Sequence, residues 1–79
     1  MRVNVKLYGL LRPYHPGPNR SALLPVDVAD GATSHDVIAS LKLPPQLARL
    51  VFINDRQAKL DDRLREGDRL AFFSSLVGG

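Results

Sequence analysis

The sequence predicts an α+β domain, a mixed sheet with one helix packed across one face. Three observations predict it. Val3, Val5 and Leu7 alternate with Arg2, Asn4, Lys6 and Tyr8, the period of a strand with one buried face. Val37, Ile38 and Leu41 recur at helical spacing behind Thr33, a residue suited to an N-cap. After the turn Glu66-Gly67-Asp68 the chain reads as a strand again, from Arg69 to Phe73. A helix set between an early hairpin and later strands gives the predicted architecture.

The elements follow in order. The first strand ends near Gly9, and Pro13-Tyr14-His15-Pro16-Gly17-Pro18-Asn19 reads as a loop that neither helix nor strand absorbs. Leu24, Val26 and Val28 alternate again. Pro25 lacks an amide hydrogen, so this second strand belongs at a sheet edge. Asp30-Gly31 turns the chain into the helix, where Asp36 stands three residues after Thr33 as a short capping-box acid. Pro44-Pro45 is expected to stop that helix. Leu50-Val51-Phe52-Ile53 is a short apolar strand closed by a turn at Asn54-Asp55, and a short strand with a tight helical turn is expected through Leu60 and Leu64. The predicted domain covers residues 1–73, and residues 74–79 read as a flexible tail ending in Gly-Gly.

Composition narrows the class. Seventy-nine residues make one domain, and 44% hydrophobic with 24% charged residues is ordinary for a folded globular protein. No apolar run reaches the length of a membrane span, and the start lacks the regions of a signal peptide, so a cytoplasmic protein with no membrane partner is expected. Without cysteine there is no disulfide, thiolate nucleophile or cysteine-bound zinc. The net charge of +3 comes from 11 basic and 8 acidic residues mixed along the chain. That pattern lacks the concentrated basic stripe of a nucleic-acid binder.

The last third carries a resemblance. Phe52-Ile53-Asn54-Asp55, Leu60-Asp61, the run from Leu64 through Gly67-Asp68 to Phe73, and the ending Leu76-Val77-Gly78-Gly79 resemble the MoaD/ThiS family of sulfur carriers. These are the small subunit of molybdopterin synthase and the thiamin sulfur carrier, relatives of ubiquitin with the β-grasp fold. The molybdopterin branch often has Pro-Pro where this chain has Ser74-Ser75, and the thiamin branch is usually shorter across residues 9–21. Neither branch is matched throughout, so the sulfur acceptor stays open: molybdopterin, the thiamin thiazole, cysteine, tRNA or another metabolite.

The resemblance implies a carrier with no catalysis of its own. A carboxylate is a poor electrophile, so Gly79 would first be adenylated by a partner of the ubiquitin-activating type that uses ATP. A persulfide-bearing enzyme would then supply sulfur. The resulting thiocarboxylate would serve an acceptor enzyme such as a molybdopterin synthase large subunit or a thiazole synthase. Gly78 has a steric role: without a Cβ it can thread an enclosed active site. No cofactor is expected on the carrier itself.

Strand alternation adds a docking expectation. With Val3, Val5 and Leu7 inward, Tyr8 faces outward, and Leu70 and Phe72 inward leave Ala71 and Phe73 outward. In a β-grasp sheet the first and last strands are parallel neighbours, which brings Tyr8 and Phe73 together near the tail. Tyr8, Phe73, Leu76 and Val77 are the docking residues this predicts, unless the loop over residues 9–21 covers one ring. Arg12, Arg49 and Arg69 either form a rim for an acidic partner or are scattered solvated charge, the preferred reading.

Other chemistry finds little support. His15 and His35 lack metal-ligand spacing and are expected to be solvent-exposed, so no metal site is predicted. Asp61-Asp62 sit in a turn where adjacent side chains diverge. Two alternatives remain: a ubiquitin-like modifier joined through Gly79 to a lysine, and a non-catalytic β-grasp module that binds RNA or protein. An extra residue after Gly79 would disable either Gly79 chemistry and leave an RNA binder unaffected.

Overall fold

A computed structural model describes residues 1–74. Five strands form one mixed sheet: β1 (Arg2–Leu7), β2 (Leu24–Asp27), β3 (Ala48–Ile53), β4 (Arg56–Ala58) and β5 (Arg69–Ser74). The helix α1 (Ser34–Ser40) crosses between β2 and β3 in the chain, and a 3₁₀ helix spans Gly9–Tyr14. The sheet order is β2-β1-β5-β3-β4. β1 and β5 are parallel, and the other pairs are antiparallel. This is the β-grasp arrangement.

Alternation explains which face is buried. Val3, Val5, Leu7, Val51, Leu70 and Phe72 point to one side and are almost wholly buried against Val37 and Ile38 of α1. The edge place of β2 agrees with Pro25, which stands opposite Asn4 and withholds a donor where no further strand waits for it. Arg2 opposes Asp27 there, and its guanidinium donates to that carboxylate at 2.9 Å. This hydrogen bond, followed by the guanidinium charge, holds the Asp27 carboxyl below its ordinary value.

Both ends of α1 follow from local chemistry. Thr33 N–H donates to Asp36 Oδ2 at 2.8 Å, closing the expected capping box with aspartate in place of glutamate. The helix stops earlier than Pro44-Pro45 suggests. Lys42 adopts φ 56, Leu43 N–H donates to the Ile38 carbonyl at 3.0 Å, and Lys42 N–H to Ala39 at 3.1 Å. That is a Schellman ending with lysine where glycine is usual, and buried Leu43 and Ile38 supply its apolar contact. The prolines only continue the chain away from a helix already closed.

The loop after β1 departs further from expectation. Residues 9–14 form a 3₁₀ helix, because Leu11 is a fully buried anchor and the fixed φ of Pro13 suits so tight a helix. His15 is not solvent-exposed: it is 7% accessible and organises the turn beyond. Gly17 N–H donates to His15 Nδ1 at 3.0 Å, and the Nε2–H tautomer donates to the Ala22 carbonyl at 3.0 Å. His35 is exposed.

β3 begins at Ala48, two residues before the expected start, and turns at Asn54 and Asp55 with φ 52 and 71. Those two positive angles are what a tight two-residue hairpin requires, and Ile53 pairs with Arg56 across it. Asn54 also ties the hairpin to β5: its Oδ1 accepts from Arg69 N–H at 3.0 Å and its Nδ2 donates to Asp68 at 2.9 Å. Between β4 and β5 a turn replaces the expected helical piece, with Lys59 N–H donating to Asp62 Oδ2.

Candidate functional site

β5 is the central strand, and its direction decides at which end of the molecule the described residues finish. It starts from the Gly67-Asp68 turn and runs beside β1, so both strands finish at the same end of the molecule. Gly9 permits that finish. It has φ 60, and a Cβ placed on it would stand 3.1 Å from Ser74 Oγ. Glycine therefore serves both the backbone angle and the close approach. Ser74 still pairs with Ala48, one residue past the expected strand end at Phe73.

The sheet face away from α1 carries three aromatic residues, Tyr8, Phe52 and Phe73. The parallel register sets Leu7 against Phe72, and the next residues, Tyr8 and Phe73, stack with centroids 4.5 Å apart and planes within 6°. Phe52 meets Phe73 edge-on at 5.4 Å. Leu50, directly across from Phe73, is 38% exposed. Lys6 Nζ lies 5.4 Å from the Tyr8 centroid. Tyr8 and Phe73 are each half-buried, and each covers part of the other. A shallow groove of about 200 Å³ runs beside them, lined by Lys6, Phe52, Arg69 and Ala71 among others.

The pairing of Tyr8 with Phe73 was legible from alternation plus parallel neighbours. The contributions of Phe52 and Leu50 were not assigned, although the inward place of Val51 sends its two neighbours outward. Leu76, Val77, Gly78 and Gly79 lie outside the described residues. Arg12 and Arg49 stand at the end where β5 finishes, but Arg69 does not join them. It opens β5 at the far end and pairs with Asp55 at 3.3 Å.

Among the described residues no group of three or more His, Asp or Glu side chains could hold a metal ion. No helix among them is long and apolar enough to cross a membrane.

Solved structures share this fold at low identity. Small archaeal modifier protein 1 of Haloferax volcanii superposes with a TM-score of 0.73 at 24% identity, over 95% of this chain and 98% of that one. A protein described as molybdopterin converting factor subunit 1 of Pyrococcus furiosus gives 0.70 at 18%, over 95% and 98%. A ubiquitin-like protein of Caldiarchaeum subterraneum gives 0.53 at 23%, over 99% and 100%. No curated protein matches the sequence. The sequence model of the ThiS family matches residues 5–79, from the first strand through the Gly78-Gly79 ending, and the chain belongs to that family.

Proposed function

We propose that this chain is a sulfur carrier whose reactive group is the carboxyl of Gly79. Membership of the ThiS family through residue 79 is the observation that carries this reading. The geometry supports it. A central strand ends at Ser74 beside an apolar, partly exposed face, and the five residues beyond can span at most about 18 Å when extended. That is long enough to enter an active site while the folded body docks outside it.

The chemistry falls to partners. The Gly79 carboxylate attacks the α-phosphorus of ATP on an adenylating enzyme, and pyrophosphate leaves. The terminal sulfur of an enzyme persulfide attacks the acyl carbon, and AMP leaves. A thiol then cleaves the acyl disulfide, forming an enzyme disulfide and releasing the thiocarboxylate. An acceptor enzyme of cofactor biosynthesis, of the molybdopterin or thiamin type, takes the sulfur and returns Gly79 as carboxylate. The carrier contributes the tail and a docking face built on Tyr8 and Phe73, with Leu76 and Val77 beyond.

Similarity in fold to the Haloferax modifier favours a second reading, in which activated Gly79 is joined to a lysine amine. Intact-mass analysis of protein isolated from its host separates the two. A species with one terminal oxygen replaced by sulfur supports the carrier, and high-mass conjugates without it support the modifier. Deletion of Gly79 should abolish adenylation and leave the melting curve unchanged. An adenylated truncated chain would overturn both readings.

A further inference from the structure

The sheet register sorts the charges by position. β1 and β5 both begin at one end of the molecule, the base, and both finish at the other, the tail end. All eight side-chain carboxylates belong to the base. They occupy the end of β2 and the following turn, the first turn of α1, the β3–β4 turn, and the stretch from Asp61 to the turn into β5. Cross-chain contacts hold these segments together: Asp27 meets Arg2, Asp30 approaches the N-terminal ammonium, Asp55 meets Arg69, and Leu60 accepts from His35 N–H.

The tail end holds no side-chain carboxylate. It carries Lys6, Arg12, Arg20, Lys42 and Arg49, which lie on β1, the 3₁₀ helix, the loop before β2, the end of α1 and the start of β3. The last four are exposed, and none of the five forms an ion pair among the described residues. Two large apolar side chains, Leu10 at 48% and Tyr14 at 44% accessible, project from the 3₁₀ helix at the same end. Charges mixed along the sequence are thus segregated in space.

We propose that the tail end is a cationic docking surface that steers the carrier onto an acidic rim around the active site of its adenylating enzyme. This rests on the carrier reading, because a tail that enters an active site turns the surface around Ser74 toward the rim of that site. Uncompensated charge on that surface acts over the Debye length of about 8–10 Å and raises the encounter rate with an opposite charge. Leu10 and Tyr14 supply apolar contacts of the kind found at protein interfaces. A protein fits better than RNA: Tyr8 is stacked on Phe73 and approached by Lys6, so the sheet offers little free ring face for bases.

The test uses the full chain and the adenylating enzyme of the same host. Association rates are measured from low to high salt for three proteins. These are the natural chain, a tail-end triple (Arg12→Glu, Arg20→Glu, Arg49→Glu) and a base triple with the same change in net charge (Arg56→Glu, Arg63→Glu, Arg65→Glu). Steering predicts a natural rate that falls by about tenfold or more as salt rises, a tail-end triple slowed by about tenfold or more at low salt, and a base triple within about threefold of natural. Equal effects of the two triples, or no salt dependence, overturn the proposal. Tighter binding of a labelled single-stranded RNA than of the enzyme at physiological salt also overturns it. ATP–pyrophosphate exchange at saturating carrier separates the two levels: exchange with equal effects of the triples sinks the steering alone, whereas no exchange with the natural chain sinks the carrier reading and the steering with it.

Discussion

Lys42 and Ser34 show how single residues depart from what the fold would choose. Lys42 holds φ 56 at the helix end, where a side chain strains the backbone and glycine does not. Lys42→Gly should stabilise the protein by about 1 kcal/mol, read as a melting temperature higher by roughly 4–8 °C. Ser34 is fully buried and its hydroxyl has no hydrogen-bond partner among the described residues. Ser34→Ala should therefore raise stability by about 1 kcal/mol, and a loss in a denaturant titration would show that the hydroxyl is satisfied in solution. Neither residue was legible in the sequence. Pro44-Pro45 offered a louder stop signal than a lysine can, and His15 among prolines looked solvated because its two partners, Gly17 and Ala22, are backbone groups that carry no sequence signature. Tyr8 and Phe73 were legible, since alternation fixes a side chain's face wherever its neighbours are plainly core residues.

At the scale of elements, the outward face of β1, β5 and β3 makes a prediction that keeps folding and docking apart. Phe73→Asp interrupts the stack with Tyr8 on a half-buried surface and leaves the Phe72 side of the sheet intact. It should lower the rate of sulfur loading by about tenfold or more, the scale of a lost aromatic anchor, while circular dichroism stays native. A variant loaded at the natural rate would remove Tyr8 and Phe73 from the proposed docking face. Gly9→Ala acts differently. It strains a backbone at φ 60 and crowds Ser74 Oγ, so a loss of about 1–2 kcal/mol is expected. The strand and helix order was legible because hydrophobic period and turn residues agree at each junction. The 3₁₀ helix was not, because a piece that short, with one inward residue, Leu11, has no period to read.

For the molecule as a whole, stability rests on one small core. Phe72 is wholly buried at its centre on the middle strand. Phe72→Ala should cost about 3–5 kcal/mol, a large share of the roughly 5–15 kcal/mol that holds a small domain, measured by denaturant unfolding. The segregation of charge between base and tail end belongs to this scale too, and no reading along the chain could find it, because it arises when the register brings distant segments to a common height. The central place of β5 has a mechanical consequence. A partner that grips the last residues and draws them inward pulls along β5, which is bonded on one side to β1 and on the other to β3. Such a pull loads both ladders in shear, so many hydrogen bonds resist together instead of parting one by one. The body can then act as an anchor while its end is tugged, and tension delivered through the tail is spread across the sheet before it reaches the core.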